Sequence, residues 1–180
     1  VGLGNPGSNY TNTRHNIGFK IIDAINVHFK LSKQKPKFKG LLTTGNIEEE
    51  KIYAIKPLTF MNNSGTAIKE LIDYFKIDAK DVFVFHDDLD IDFGKIKAKF
   101  GGSSAGHNGI ESIDKFIGKD YSRIRIGIGH PKQKKKVSSH VLEDFKEDEE
   151  EKINEISENI VKQLPTLIKK KIDLFSSKVN

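Results

Sequence analysis

Apolar residues recur along this chain at two spacings, and the order in which the spacings alternate predicts the architecture. Ile17, Ile21, Ile22, Ala24, Ile25 and Phe29 return every three or four positions, the signature of a helix with one buried stripe. Ala67, Ile68, Leu71, Ile72 and Phe75 predict a second helix with Ser64 placed to cap it, and Ile110, Ile113 and Phe116 or Ile117 a third. Between them the period changes. Val1 and Leu3 read as the end of a buried strand, and Gly40 to Ile47 with Lys51 to Lys56 as two strands joined by a Glu48-Glu49-Glu50 turn. Val82 to Phe85 is a short, continuously apolar run of the kind buried on both faces of a sheet. Lys95 to Phe100 alternates lysine with Ile96, Ala98 and Phe100, and Tyr121 to Gly129 alternates Ile124, Ile126 and Ile128 with Arg123 and Arg125. Both arginines should therefore leave the strand on the face opposite the isoleucines. Leu31 to Lys39 reads as a polar loop, Lys132 to Lys136 as a basic one, and the remainder as helix, broken or kinked by Pro165 near Leu164. Helices alternating with strands predict an α/β fold: one domain over residues 1–180, with a mixed, centrally parallel sheet flanked by helices.

Composition narrows the function classes. At 180 residues the chain can bury one substantial core, and no apolar stretch approaches the roughly 18 residues of a membrane span. It has no cysteine, which excludes disulfides, thiol catalysis and thiolate metal sites. With no export signal, the expected location is cytoplasmic. The chain opens inside an apparent strand without an initiator Met, so a few upstream residues are expected.

Charge is segregated. Lys95 to Lys136 holds eleven Lys or Arg against three acids, whereas Glu143 to Glu158 holds nine acids against two lysines. The first stretch suits a polyanion such as nucleic acid, although solvation alone also accounts for a lysine-rich surface.

The candidate chemistry begins in the opening turn. Gly2-Leu-Gly4-Asn5-Pro6-Gly7 leads to His15 and Asn16 at the start of the first helix, where a helix N-terminus disfavours imidazolium and so leaves a neutral ring able to act as a general base. The same glycines fit a dinucleotide fingerprint, but that motif needs a helix to open at once, and Pro6 to Asn9 prolong the turn instead. Gly102-Ser-Ser104-Ala-Gly106 fits the serine nucleophile elbow, and Asp114 or Asp120 with His130 or His140 would complete a serine esterase. Against it, the preceding strand alternates lysines, and no HGGG-type oxyanion loop is present. His15, His86, Asp87, Asp88, Asp90 and His107 could supply metal ligands, yet none has recognised metal spacing, and no metal or cofactor is expected. There remain His15, Asp87 after the apolar strand, and Asn5, Asn62 and Asn108 in loops. Loop asparagines are usually turn formers, but three converging carboxamides suit a peptide-like substrate.

Together these stretches closely resemble the bacterial peptidyl-tRNA hydrolases. The matching residues are Gly-Leu-Gly-Asn5-Pro-Gly, Tyr10, Thr13-Arg-His15-Asn16-x-Gly18, Thr59-Phe60-Met61-Asn62-x-Ser64-Gly65, His86-Asp87-x-Leu89-Asp90, Gly106-His107-Asn108-Gly109 and Arg123-Ile-Arg125-Ile-Gly-Ile-Gly-His130-Pro131. They run in the family's order over residues 1–131. The resemblance implies hydrolysis of the ester between a peptide and the 3′ end of tRNA by a monomer without metal. It implies that His15 is the base that activates water, that Asp87 holds its ring, and that Asn5, Asn62 and Asn108 hold the peptide and the 3′ end, with Asn5 sensing a blocked amino group. Tyr10 and Phe60 would contact the terminal nucleotides, and Lys99 and Arg125 would clamp the tRNA 5′-phosphate region. Two departures are Asp88, where the family usually has Glu, and a loop with Ser103, Ser104 and Ala105 in place of further glycine.

Overall fold

A computed structural model describes residues 1–131 and 137–180; the basic loop expected at Lys132 to Lys136 lies outside the described residues. Six helices, α1 (Ile17–His28), α2 (Ser64–Phe75), α3 (Asn108–Ile117), α4 (Val137–Leu142), α5 (Glu147–Ile168) and α6 (Ile172–Lys178), accompany six strands among those residues. The strands are β1 (Lys35–Lys37), β2 (Gly40–Ile47), β3 (Glu50–Pro57), β4 (Phe83–Asp88), β5 (Ile96–Phe100) and β6 (Ser122–Gly127).

The strands form two three-stranded sheets, β1-β2-β3, all antiparallel, and β4-β6-β5, in which β4 and β6 are parallel and β5 and β6 antiparallel. Val1 to Leu3 lies between them. Gly2 N–H donates to Ile55 O at 3.0 Å on one side, while Leu3 N–H donates to Phe85 O and Phe85 N–H to Val1 O on the other. This segment thus joins the two sheets into the mixed, centrally parallel sheet that the sequence predicts.

Alternation along β4 sends Phe85 to one face and Val84 to the other, and a separate core forms on each. Ile17, Ile21, Ile22 and Ile25 of α1 pack with α5 and α6 against Phe85, Ile124 and Ile126. Ile68 and Leu71 of α2 and Ile110 and Ile113 of α3 pack against Leu3, Ile55 and Val84. Burying each such side chain contributes about 1.5–3 kcal/mol. One contact sets how closely α1 approaches the sheet: a Cβ on Gly18 would lie 2.3 Å from Leu3 N and 2.4 Å from Phe85 O. Only glycine allows α1 to rest directly on the backbone there, and this brings the turn before α1 down to the end of β4.

Four expectations need correction. The loop expected over Leu31 to Lys39 contains β1, whose lysines and Pro36 give no apolar signal because it is an exposed edge strand. Ser64 is the first residue of α2 rather than its cap, and its hydroxyl donates to Met61 O at 2.9 Å. Pro165 does not break the last long helix; it falls in the closing turn of α5, which runs on to Ile168, so few bonds are lost. Finally, β4 continues through His86, Asp87 and Asp88, all buried, because pairing with β6 continues to Asp88 opposite Gly127.

Candidate active site

His15 sits in a 3-10 turn, Arg14–Asn16, that leads into α1. Its Nδ1 lies 2.9 Å from both carboxylate oxygens of Asp87, which is only 2% exposed. A carboxylate accepts, so Nδ1 carries the proton and Nε2 of the neutral ring keeps its lone pair for the cleft. Burial by itself would lower the His15 pKa, but the charge and hydrogen bond of Asp87 outweigh it and raise the pKa above its ordinary value. The helix N-terminus invoked from sequence is therefore not the dominant influence on this ring. For Asp87, burial opposes ionisation, yet His15 and His107 together hold its carboxyl far below the usual range.

Asn5 is fixed by two neighbours. Its backbone N–H donates to Asn16 Oδ1 at 2.8 Å and its carbonyl accepts from Asn16 Nδ2 at 2.9 Å. Its own Oδ1 accepts from Met61 N–H at 2.8 Å, so the amide orientation follows from the donors around it, and Nδ2 is left to donate to a ligand. Asn62 and Asn108 are exposed at the start of neighbouring segments: the 3-10 turn Met61–Asn63 and α3. Gly109 is the contact between them, since a Cβ there would lie 2.5 Å from Met61 Sδ.

The rings of Tyr10 and Phe60 meet edge to face with centroids 6.4 Å apart. Phe60 adopts φ 55°, ψ 159°, a conformation costing a non-glycine residue about 1–3 kcal/mol. Such strain gathers at ligand clamps.

A cleft of about 570 Å³ is lined by His15, Asp87, Asp88, His107 and Asn108, and walled on one side by Val137 and Val141 of α4. A cavity of about 620 Å³ between α2, β3 and the end of α5 contains no histidine. Of these two, only the cleft is lined by histidine.

The basic strands reach the cleft only through Arg125, which contacts Asp88. Lys99 is exposed and opposes Arg123 in the β5–β6 register, while Lys97 opposes Arg125. Arg123 leaves the sheet on the expected face but is 2% exposed, donating to Asp114 and to Ser103 O, each at 2.7 Å. It supports the glycine-rich loop and is not a wet cation. Arg125 donates through Nε to Asp88 Oδ2 at 2.7 Å, which leaves the Nη groups of its fork.

The serine elbow does not assemble. Asp114 is engaged by Tyr121 and Arg123, His130 by Asp90, and His140 lies against Ile128 O. Among the described residues no histidine is hydrogen-bonded to the Ser104 hydroxyl.

His15, Asp87 and His107 offer three ligand atoms within 4.8 Å of one another. Hydrogen bonding accounts for them better than metal ligation does. His107 Nδ1 accepts from the N–H groups of Gly109 and Ile110, so its proton resides on Nε2, the atom that a metal would need bare.

Sequence reasoning gave His107, Asn16 and Arg14 no part in positioning the site residues. Arg14 and Asn16 flank His15 in a motif already noted, and His107 carried a signal as the polar residue before a helix, where caps belong.

The peptidyl-tRNA hydrolase family model matches residues 1–180. The chain is 72% identical to a peptidyl-tRNA hydrolase of Pelagibacter ubique over 180 residues, covering 100% of this chain and 97% of that protein. It is 46% identical to one from Ehrlichia ruminantium, covering 99% and 92%. The crystal structure of the Acinetobacter baumannii peptidyl-tRNA hydrolase superposes with a TM-score of 0.94 at 35% identity, covering 100% of this chain and 92% of that one. A chain whose full length carries these matches, and whose histidine and carboxylate meet at the cleft, belongs to the peptidyl-tRNA hydrolase family of ester hydrolases.

Proposed function

We propose that the chain cleaves the ester joining the C-terminus of a peptide to the 3′ end of tRNA, with His15 activating the attacking water. The observation that carries this reading is the contact of His15 Nδ1 with Asp87 at 2.9 Å on the wall of the cleft. His15 Nε2 takes a proton from water as its oxygen attacks the ester carbonyl carbon. The tetrahedral intermediate collapses, the bond to the 3′ oxygen breaks, and the imidazolium returns its proton to that oxygen. The peptide leaves as a carboxylic acid that gives its proton to solvent, and tRNA leaves with a free 3′ hydroxyl. Asp87 keeps the proton of neutral His15 on Nδ1 and stabilises the imidazolium that forms. Such general-base assistance contributes about 10²–10⁴-fold.

Asn5 Nδ2 donates to the peptide and distinguishes a blocked amino group from a free one. Asn62 and Asn108 hold the peptide and the 3′ end, and Tyr10 and Phe60 contact the terminal nucleotides. Lys99 and the free fork of Arg125 take the 5′-phosphate region of tRNA. The enzyme works as a cytoplasmic monomer without metal.

The test is release of an N-blocked aminoacyl group from tRNA by the wild type, His15→Ala and Ser104→Ala, with a free-amine aminoacyl-tRNA as control. The expected result is an inactive His15→Ala, an active Ser104→Ala and a resistant free-amine substrate. A dead Ser104→Ala with an active His15→Ala would replace this reading by a serine esterase.

A further inference from the structure

Asp87 accepts from two histidines, and only one of them has been given a task. His15 Nδ1–H donates to it at 2.9 Å, and His107 Nε2 lies 3.0 Å from the same Oδ1. The His107 tautomer is set by the backbone. The ring is the N-cap of α3, its Nδ1 accepting from Gly109 N–H at 3.1 Å and from Ile110 N–H at 3.3 Å. With Nδ1 committed as acceptor, Nε2 must be the protonated nitrogen, and it points at Asp87. The His15 and His107 rings stand 5.0 Å apart and converge on that one oxygen.

We infer that His107 is a positioning residue: it anchors Asp87 and withdraws part of that carboxylate's charge from His15, thereby tuning the strength of the base from the first turn of α3. This rests on the reading of His15 as the general base.

Two physical effects follow from the second donor. A carboxylate held at one oxygen by a rigid cap cannot rotate away from His15 Nδ1. A carboxylate that accepts a second N–H also attracts the His15 proton less strongly, so the pKa of the base rises less than a lone Asp87 would drive it. Asn108 is the residue after His107, and the glycine-rich loop Gly101 to Gly106 precedes it, so the orientation of Asp87 depends on the segment proposed to hold the substrate.

The cap and the donor can be separated. Asn is as good an N-cap as any residue, but it is too short to reach Asp87. Gln places an amide N–H about where Nε2 stands, but fits the cap poorly. Neighbouring charges stay the same in both variants: Asp88, Asp90 and His130 along the cleft, His86 edge-on to His107 at 4.9 Å with Arg123 behind it, and Arg14 with its glutamates beside His15.

The experiment is the pH dependence of kcat/KM for wild type, His107→Asn and His107→Gln, with thermal melting of each and the nitrogen shifts of the histidine rings by NMR. His107→Asn is expected to melt near the wild type, to move the acidic limb up by roughly 0.5–1 pH unit, and to lower kcat roughly 10-fold at unchanged KM. His107→Gln is expected to melt lower but keep the limb where the wild type has it. In the wild type the His107 resonances should report an Nε2–H ring. A wild-type limb and kcat in His107→Asn would reduce His107 to a helix cap and overturn the proposal. An Nδ1–H ring would overturn it as well. Failure of the underlying reading looks different: His15→Ala would stay active, whatever the His107 tautomer.

Discussion

Arg14, the residue before His15, is held from the far end of the chain by Glu149: Nη2 and Oε2 are 2.8 Å apart, and the guanidinium is almost wholly buried. Glu149 also accepts from Lys146 N–H at 2.8 Å and so caps α5. Glu143 reaches Arg14 at 3.6 Å, and Glu150 reaches Lys20 of α1 at 3.1 Å. The acidic stretch read from sequence is in part a clamp on the turn that carries His15. Removing one partner of a buried pair leaves a buried charge uncompensated. Glu149→Ala is expected to cost about 3 kcal/mol in urea denaturation and to lower kcat more than KM changes. A loss below about 1 kcal/mol, the range of exposed pairs, would show that the clamp is not energetic.

The raised His15 pKa fixes the sign of the pH dependence. The base is active only when neutral, so the acidic limb of kcat/KM should lie above the ordinary histidine value of about 6.5. The stabilising contact is present below that ordinary value and is lost as pH rises through the raised one. Asp87→Asn removes the charge and leaves the proton of His15 unfixed. We expect kcat to fall roughly 10²–10⁴-fold with little change in KM. A rate profile flat from pH 5 to 8 in the wild type would contradict the assignment.

Electrostatic docking should show in salt. Lys99 is exposed on β5 and has no acid opposite it in the β5–β6 register. Lys99→Ala should raise KM several-fold at low salt, leave kcat unchanged, and reduce the slope of log KM against log salt by about 1, the contribution of one phosphate contact. An unchanged slope would place the tRNA elsewhere.

His86 predicts an acid weakness. It is buried, donates through Nδ1 to Asp87 O at 2.7 Å, and has no hydrogen-bond partner for Nε2. Burial, aided by His107, lowers its pKa to about 3. Between about 6.5 and 3 the unfolded chain binds a proton that the folded one refuses, so stability falls as pH falls through that window, by up to about 1.4 kcal/mol per unit. His86→Phe, less stable at pH 7 for want of the Asp87 bond, should show a shallower decline with acid. Equal slopes for the two proteins would mean that another group carries the effect.

Much of this was legible in the sequence, because the signals were periodic or motif-bound. The isoleucines of α1 and the alternation in β6 gave helix and strand directly, and the ordered motifs led to His15, Asp87 and the asparagines. What stayed hidden depended on contacts between distant residues. The face that Arg123 leaves by was readable, but Asp114 and the Ser103 carbonyl that cover it were not. The apolar run stopped at Phe85, yet pairing with β6 carried the strand through three polar residues. Helical spacing placed His107 before α3, but its tautomer required knowing that two backbone N–H groups converge on Nδ1.

Three residues of backbone, Val1 to Leu3, are hydrogen-bonded to Ile55 on one side and Phe85 on the other. Neither half of the sheet is joined to the other until that segment is seated, and the partners it needs lie tens of residues further along. Closing such loops costs conformational entropy before any contact repays it, which makes central pairing a slow step of folding. His15 and Asp87 stand 72 positions apart on the two sides of this closure. During synthesis, therefore, His15 and Asp87 cannot meet in a chain that has not yet delivered β4.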